Sequence, residues 1–198
     1  PLREDFENLK PGQHPPDADV AAPSPGAMTV SAERAASGSQ SLKIIDAEGL
    51  RQAYLPRMFY RPRFRHGRVR IAFDLFLDPD QPAELGIDPR QYDDSGRREY
   101  LLALNLQIRR DGSVIAAGRN VGTVPLGTWV HFETVTRLAM PGEGTSALTV
   151  TAGDRQLIRE TLPHAHPEFE SLQRLVFMAT ANNAGMCYLD NIVVEPAE

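Results

Sequence analysis

The chain has 198 residues, 41% of them hydrophobic and 24% charged. That is the make-up of one globular domain, able to bury about 70% of its unfolded surface without disulfides or a metal merely to fold. The net charge of −5 at pH 7 argues against a general nucleic-acid binder, and no apolar run approaches the about 20 residues of a membrane span.

Cys187 is the only cysteine. It permits no internal disulfide and is expected to be a buried, inert thiol. The basic residues are almost all arginine, with Lys10 and Lys43 the exceptions. The chain opens at Pro1 without Met, which reads as a removed leader or a cut chain and sets an extracellular or periplasmic expectation.

In chain order, a strand is expected at 4–7. Residues 8–26 hold Pro11, Gly12, Pro15, Pro16, Pro23, Pro25 and Gly26, and are expected to form a long loop with neither helix nor strand. Strands follow at 27–33, 41–46 and 52–60. Val69, Ile71, Phe73, Leu75 and Leu77 then recur with period two, the mark of a strand with one buried face. Residues 78–98 are a second breaker-rich stretch, with Pro79, Pro82, Asp88-Pro89 and Asp93-Asp94-Ser95-Gly96, and are expected to exclude regular structure.

Leu102, Leu104, Leu106 and Ile108 alternate along one strand at 102–110, and Asp111-Gly112 turns it into 113–118. Val130 and Phe132 alternate with Trp129, His131 and Glu133. Gly153-Asp154 joins 145–152 to 155–160. One helical turn is expected near 167–172, then strands at 173–180 and 186–195. Many short strands divided by turn signals predict a single all-β domain, an antiparallel two-sheet β-sandwich over 1–198.

The order of several segments carries a resemblance. Asp5-Phe6-Glu7 comes early, Ala36-Ser37-Gly38-Ser39-Gln40-Ser41-Leu42-Lys43-Ile44 follows, and the chain closes on Tyr188-Leu189-Asp190-Asn191-Ile192-Val193-Val194. Between them stand Arg68-Val69-Arg70-Ile71-Ala72-Phe73-Asp74-Leu75 and Gly127-Thr128-Trp129-Val130. The whole resembles bacterial jelly-roll modules of the concanavalin A-like lectin/glucanase superfamily, LamG-like or carbohydrate-binding. The resemblance implies a non-catalytic, lectin-like module that binds a polysaccharide or oligosaccharide, secreted and associated with a polysaccharide-degrading system. It also implies a structural calcium ion (Ca2+) held by Glu7 and Asp190, with backbone carbonyls near Gly38 and Lys43 and Glu33 as a further carboxylate.

Parity nominates the binding residues. With Phe73, Leu106 and Phe132 in the core, Asp74, Asn105, Gln107, Arg109, Trp129, His131 and Glu133 leave the other way. The expectation is one polar row that hydrogen-bonds sugar hydroxyls while Trp129 stacks on a ring. The alternative is a solvated outer face. The segment from Tyr54 to Arg70, with Arg57, Arg61, Arg63, Arg65, His66 and Arg68, is read as a basic edge that discourages strand pairing. Its other reading is a site for acidic sugars or phosphates.

Catalytic motifs are sparse. Glu133 has Val135 two positions on rather than the second acid of a retaining hydrolase strand. The five histidines do not have zinc-protease spacing. Jelly-roll alginate lyases carry a Gln-Ile-His strand, and here Gln107-Ile108-Arg109 keeps only the Gln. In a lyase or hydrolase reading, His131 stands in from a neighbouring strand and Tyr188 or Tyr100 donates the proton. A structural or adhesion module without a small ligand is the third reading.

Overall fold

A computed structural model of the chain describes residues 1–92, 99–139 and 142–198. Sixteen strands run in order through the described residues: β1 (Leu2–Glu4), β2 (Asp19–Ala21), β3 (Ala27–Ser31), β4 (Ser41–Asp46), β5 (Arg57–Tyr60), β6 (Gly67–Leu77), β7 (Leu85–Tyr92), β8 (Tyr100–Leu102), β9 (Leu106–Ile108), β10 (Ser113–Ala116), β11 (Arg119–Thr123), β12 (Trp129–Leu138), β13 (Thr145–Ala152), β14 (Arg155–Pro163), β15 (Arg174–Ala179) and β16 (Gly185–Ala197). They form two antiparallel sheets of eight strands each. Sheet I has the order β14-β13-β12-β6-β16-β4-β3, with β1 also on β16. Sheet II has the order β11-β10-β9-β7-β15-β5-β2, with β8 also on β7. This is the two-sheet sandwich that the period-two pattern predicts.

The alternating apolar residues close the space between the sheets. Phe73 of β6 stacks on Phe132 of β12 at 5.1 Å between centroids, and Phe177 of β15 meets Phe73 edge-on at 5.5 Å. Sheet I thus contributes two rings and sheet II the third. Such aromatic pairs add about 0.5–1.5 kcal/mol beyond the area they bury. Cys187 is fully buried in this core, and burial raises its thiol pKa above the ordinary value.

Strands β4 and β13 have the predicted limits. The expectation of no strand in 8–26 is corrected by β2, three residues that extend sheet II beyond β5. The larger correction is β7, which crosses the stretch expected to exclude regular structure and lies at the centre of sheet II. Pro89 has no N–H to give a ladder, yet it sits inside β7. The structure accommodates it at a gap: β9 pairs with Leu85–Ile87 and β8 with Arg90–Tyr92, so that flank of β7 is not laddered at 88–89. The same gap splits the single strand expected at 102–110 into β8 and β9.

Strand β11 has no signal in the period-two pattern, because Arg119-Asn120-Val121-Gly122-Thr123 does not alternate. The expected helical turn near 167–172 is a turn at 167–168 without a helix. The Asp111-Gly112 hairpin is present. Gly112 has φ +82°, and a side chain there would run into the Val124 carbonyl, so only glycine fits. Asp93-Asp94-Ser95-Gly96 lies outside the described residues. No helix among the described residues is long and apolar enough to cross a membrane.

Candidate functional site

The seven nominated polar residues do not form one row. Asp74, Trp129, His131 and Glu133 stand on β6 and β12, on the outer face of sheet I. Gln107 stands on β9, with Asn105 and Arg109 immediately flanking that strand, on the outer face of sheet II. The outer faces of a sandwich look in opposite directions, so one ligand lying on a sheet cannot span both sets. All seven side chains leave their own strands outward as parity requires, but parity says nothing of which sheet holds the strand. For the same reason His131 does not stand beside Gln107, and Tyr188 and Tyr100 lie on different sheets.

The sheet I set is internally satisfied. His131 Nδ1 lies 2.7 Å from Asp74 Oδ1, and Asn191 Nδ2 donates to Asp74 Oδ2 at 2.7 Å. The hydrogen bond to Asp74 raises the imidazole pKa, against partial desolvation. Arg70 donates to Glu133 at 2.6 Å and to Glu195 at 3.0 Å. Trp129 rests tilted on Phe76 at 5.6 Å, and the Arg34 guanidinium caps Phe76 from 4.4 Å.

The outer face of sheet II is organised differently. Asn105, Gln107 and Arg109 form a chain: Gln107 Nε2 donates to Asn105 at 3.3 Å, and Arg109 donates to Gln107 at 3.0 Å and to Glu84 at 3.2 Å. The ladder places Gln107 opposite Gly86, Gly86 opposite Met178, and Met178 opposite Arg57. The next outward row is Asp88, Val176, Phe59 and Asp19, and the one after pairs Arg90 with Arg174. Tyr92 and Tyr100 face each other across β7 and β8.

These rows build a groove of about 500 Å³. Its floor is Val176, Met178 and Phe59, and its walls are Tyr54, Arg57, Arg90, Tyr92, Tyr100 and Arg174. The guanidiniums lie over ring faces, with Arg90 4.0 Å from Tyr100, Arg57 5.0 Å from Tyr54, and Arg174 4.2 Å from Tyr92 and 4.6 Å from Phe59. A guanidinium over a ring face is held by the ring and can still offer N–H groups to an acceptor.

Beneath the groove, Arg90 is tied to Asp88. Nε donates at 3.2 Å and Nη2 at 2.7 Å to Oδ2, and the Asp88 side chain is only 5% exposed. Burial raises the Asp88 carboxyl pKa, opposed by the Arg90 charge. Two further carboxylates on this face are also paired, Asp19 with Arg61 and Glu84 with Arg109. Among the described residues, Arg57, Arg63, Arg65 and Arg174 have no ion-pair partner. Among the described residues, the groove and its margin therefore carry an excess of positive charge in a chain that is acidic overall.

This placement corrects the basic-edge reading of 54–70. Strand β5 is covered by β2, and β6, which carries Arg68 and Arg70, is central in sheet I. The residues that the sequence did not nominate are Arg90, Tyr92 and Arg174. The available signal was the alternation Asp88, Arg90, Tyr92 in a stretch that its prolines disguised as loop.

Glu7 and Asp190 do not fit a shared calcium ion. Glu7 Oε1 accepts N–H bonds from Ser39 at 2.9 Å and Gln40 at 2.8 Å, and Oε2 accepts the Ser39 hydroxyl at 2.8 Å. The Ser39 N–H bond, foremost, holds the Glu7 carboxyl below its usual value. Asp190 accepts N–H bonds from Ala36 at 2.8 Å, Ser37 at 3.3 Å and Asn191 at 2.8 Å. Calcium needs six to eight oxygens turned toward it, whereas here peptide N–H groups, positive ends of their dipoles, converge on the carboxylates. Glu33 binds Lys43 and the Tyr188 hydroxyl, and no group of three or more His, Cys, Asp or Glu suited to a metal occurs among the described residues. The carboxylates brace the 36–40 loop, and Gly38 suits it because φ is +65° and a side chain there, 2.6 Å from the Glu7 carboxyl carbon, would displace that carboxylate from its bonds.

No family model and no curated protein sequence matches the chain. Solved structures do match it in fold. An endo-β-1,4-glucuronan lyase from the fungus Trichoderma reesei superposes with a TM-score of 0.60 at 13% identity, over 90% of each chain. A marine alginate lyase from Aplysia kurodai gives 0.62 at 12% identity, over 91% of this chain and 98% of that one. A cellulose-induced protein gives 0.63 at 14% identity, over 100% and 98%. At such identity the likeness is one of fold: the chain shares its all-β sandwich with polysaccharide lyases and other carbohydrate-active jelly-roll proteins.

Proposed function

We propose that the chain is a polysaccharide lyase that holds an acidic polysaccharide on the outer face of sheet II. The observation that carries this is the groove itself, with its apolar floor, guanidiniums stacked on tyrosines, and Asn105-Gln107 at one end. Apolar floor atoms suit the faces of sugar rings, and arginine edges suit carboxylates. The fold neighbours include lyases of glucuronan and alginate by name, which favours an enzyme over the non-catalytic lectin-like module expected from the sequence. A secreted setting is part of the same reading.

The chemistry is a β-elimination. A guanidinium or amide neutralises the uronate carboxylate, which makes the proton on the adjacent ring carbon removable. A base takes that proton, its electrons form the new ring double bond, and the glycosidic oxygen leaves with a proton from an acid. Arg90, fixed by Asp88, is placed to hold the carboxylate. Tyr92 and Tyr100, with ring centroids 6.0 Å apart, are the proton-transfer groups on this face. Hydrolysis canonically uses a pair of carboxylates working together, and the carboxylates at the groove, Asp19, Glu84 and Asp88, are each engaged by an arginine.

The test is incubation with polyglucuronate, alginate and a neutral glucan, followed by ultraviolet absorbance of an unsaturated product. Absorbance from an acidic polymer alone supports the lyase. Binding without product returns the chain to the non-catalytic module, and neither binding nor product leaves the adhesion reading.

A further inference from the structure

The groove does not end at Tyr92 and Arg174. Both residues also line a second hollow of about 290 Å³, completed by Arg61, Arg63, Phe64, Arg65 and Gln173. Four of its seven lining residues are arginines. The backbone presents them deliberately. Phe64 and Leu172 exchange N–H bonds at 2.9 and 2.8 Å, which clamps the segment after β5 to the chain leading into β15. Phe64 packs toward the core, while Arg63 and Arg65 on either side of it are exposed. Arg63 holds φ +58°, a left-handed conformation that a long side chain rarely adopts. Past Arg65 the surface runs on to Glu168 and Glu170, whose backbone on this side is pinned by Gln91: its Oε1 accepts the N–H groups of Glu170 at 2.6 Å and Ser171 at 2.9 Å. The sign of the charge therefore reverses beyond the hollow.

Resting on the groove reading above, we propose that Arg63, Arg65 and Arg174 form a distinct anion-holding subsite that grips the acidic group of a sugar unit beyond the one seated at Arg90. Its ligand chemistry is a planar or tetrahedral oxyanion on a polysaccharide, a carboxylate or a sulfate ester. Arg61 borders the hollow but is occupied by Asp19. The subsite contributes affinity and register rather than bond chemistry. Among the described residues, the acidic wall at Glu168 and Glu170 disfavours a further anionic unit on that side.

The experiment is titration calorimetry of polyglucuronate, a sulfated dextran and neutral dextran, against the intact chain and an Arg63→Asn/Arg65→Gln double variant. Asparagine tolerates the left-handed conformation at position 63, and the melting curve of the variant reports whether it folds. Exposed charge contacts are each worth up to about fivefold in affinity. The double variant is therefore expected to bind its polyanion roughly tenfold more weakly, with a shallower dependence on salt and an unchanged melting temperature. Weakening confined to polyglucuronate assigns a carboxylate ligand, and weakening confined to the sulfated polymer assigns a sulfate. If the intact chain binds a polyanion and the folded variant binds it equally well with the same salt slope, the subsite is overturned and the groove reading stands. If the intact chain binds no polyanion, both are overturned. An Arg63→Lys/Arg65→Lys variant retains the charge and is expected to recover most of the salt slope.

Discussion

The Arg90 guanidinium, in the wall of the sheet II groove, is held by the Asp88 carboxylate at 2.7 Å, and both side chains are nearly out of solvent. They leave the same face of β7 two residues apart, so their meeting is built into one strand. Breaking a buried ion pair by removing one partner strands the other charge, typically at about 3–5 kcal/mol. Asp88→Ala is expected to lower stability by about that amount in urea unfolding. Asp88→Leu combined with Arg90→Met is expected to recover most of it while abolishing turnover of an acidic polysaccharide. Recovery of stability together with full activity would remove Arg90 from the reaction.

The two outer faces are expected to respond separately to mutation. Gln107→Ala breaks the amide chain from Asn105 to Arg109 at the groove, and is expected to reduce oligosaccharide binding by about threefold to tenfold, the range of one net hydrogen bond. Trp129→Ala, on the opposite sheet, is expected to leave binding unchanged. Calorimetry with one oligosaccharide on both variants checks this, and equal losses would bring the sheet I face back as the glycan surface.

The Asp74–His131 contact predicts a pH dependence. Because Asp74 raises the folded-state pKa of His131, the stabilisation it brings is fully present below the unfolded value of about 6.5. It fades as the pH rises through the folded value, which lies above 6.5. His131→Gln is expected to flatten this part of the stability profile, and Asp74→Asn is expected to bring the His131 pKa, followed by nuclear magnetic resonance, down. Neither change should alter binding in the groove.

The loop at 36–40 is expected to be independent of metal. Excess chelator should leave the melting temperature where it is, since Glu7 and Asp190 are each held by three hydrogen-bond donors of the fold. Gly38→Ala is expected to destabilise by about 1–3 kcal/mol, because φ is +65° and the added methyl meets the Glu7 carboxyl. A drop in melting temperature in chelator would show that the carboxylates turn toward a cation.

The sequence by itself determined the class of fold and much of the strand inventory. Period-two alternation at Val69–Leu77 and Thr145–Ala152 is a local property of a half-buried strand, and Asp111-Gly112 is a local property of a tight turn, so both are legible residue by residue. The same logic failed at Leu85–Tyr92. Pro89 reads as a breaker in isolation, and only the gap between two partner strands makes it harmless at the centre of a sheet.

The site was legible only in fragments. Parity correctly turned Asp74, Gln107, Trp129 and His131 away from the core. Which of two sheets each strand joined was set by pairings across the chain, β12 with β6 and β9 with β7, and no local pattern encodes those. The arginines at 57, 63 and 65 were visible as a cluster, but Arg90 and Arg174 reach them only because β7, β15 and β5 lie side by side. Long-range strand order, which depends on how the whole core closes, decided that a basic segment became the wall of a groove.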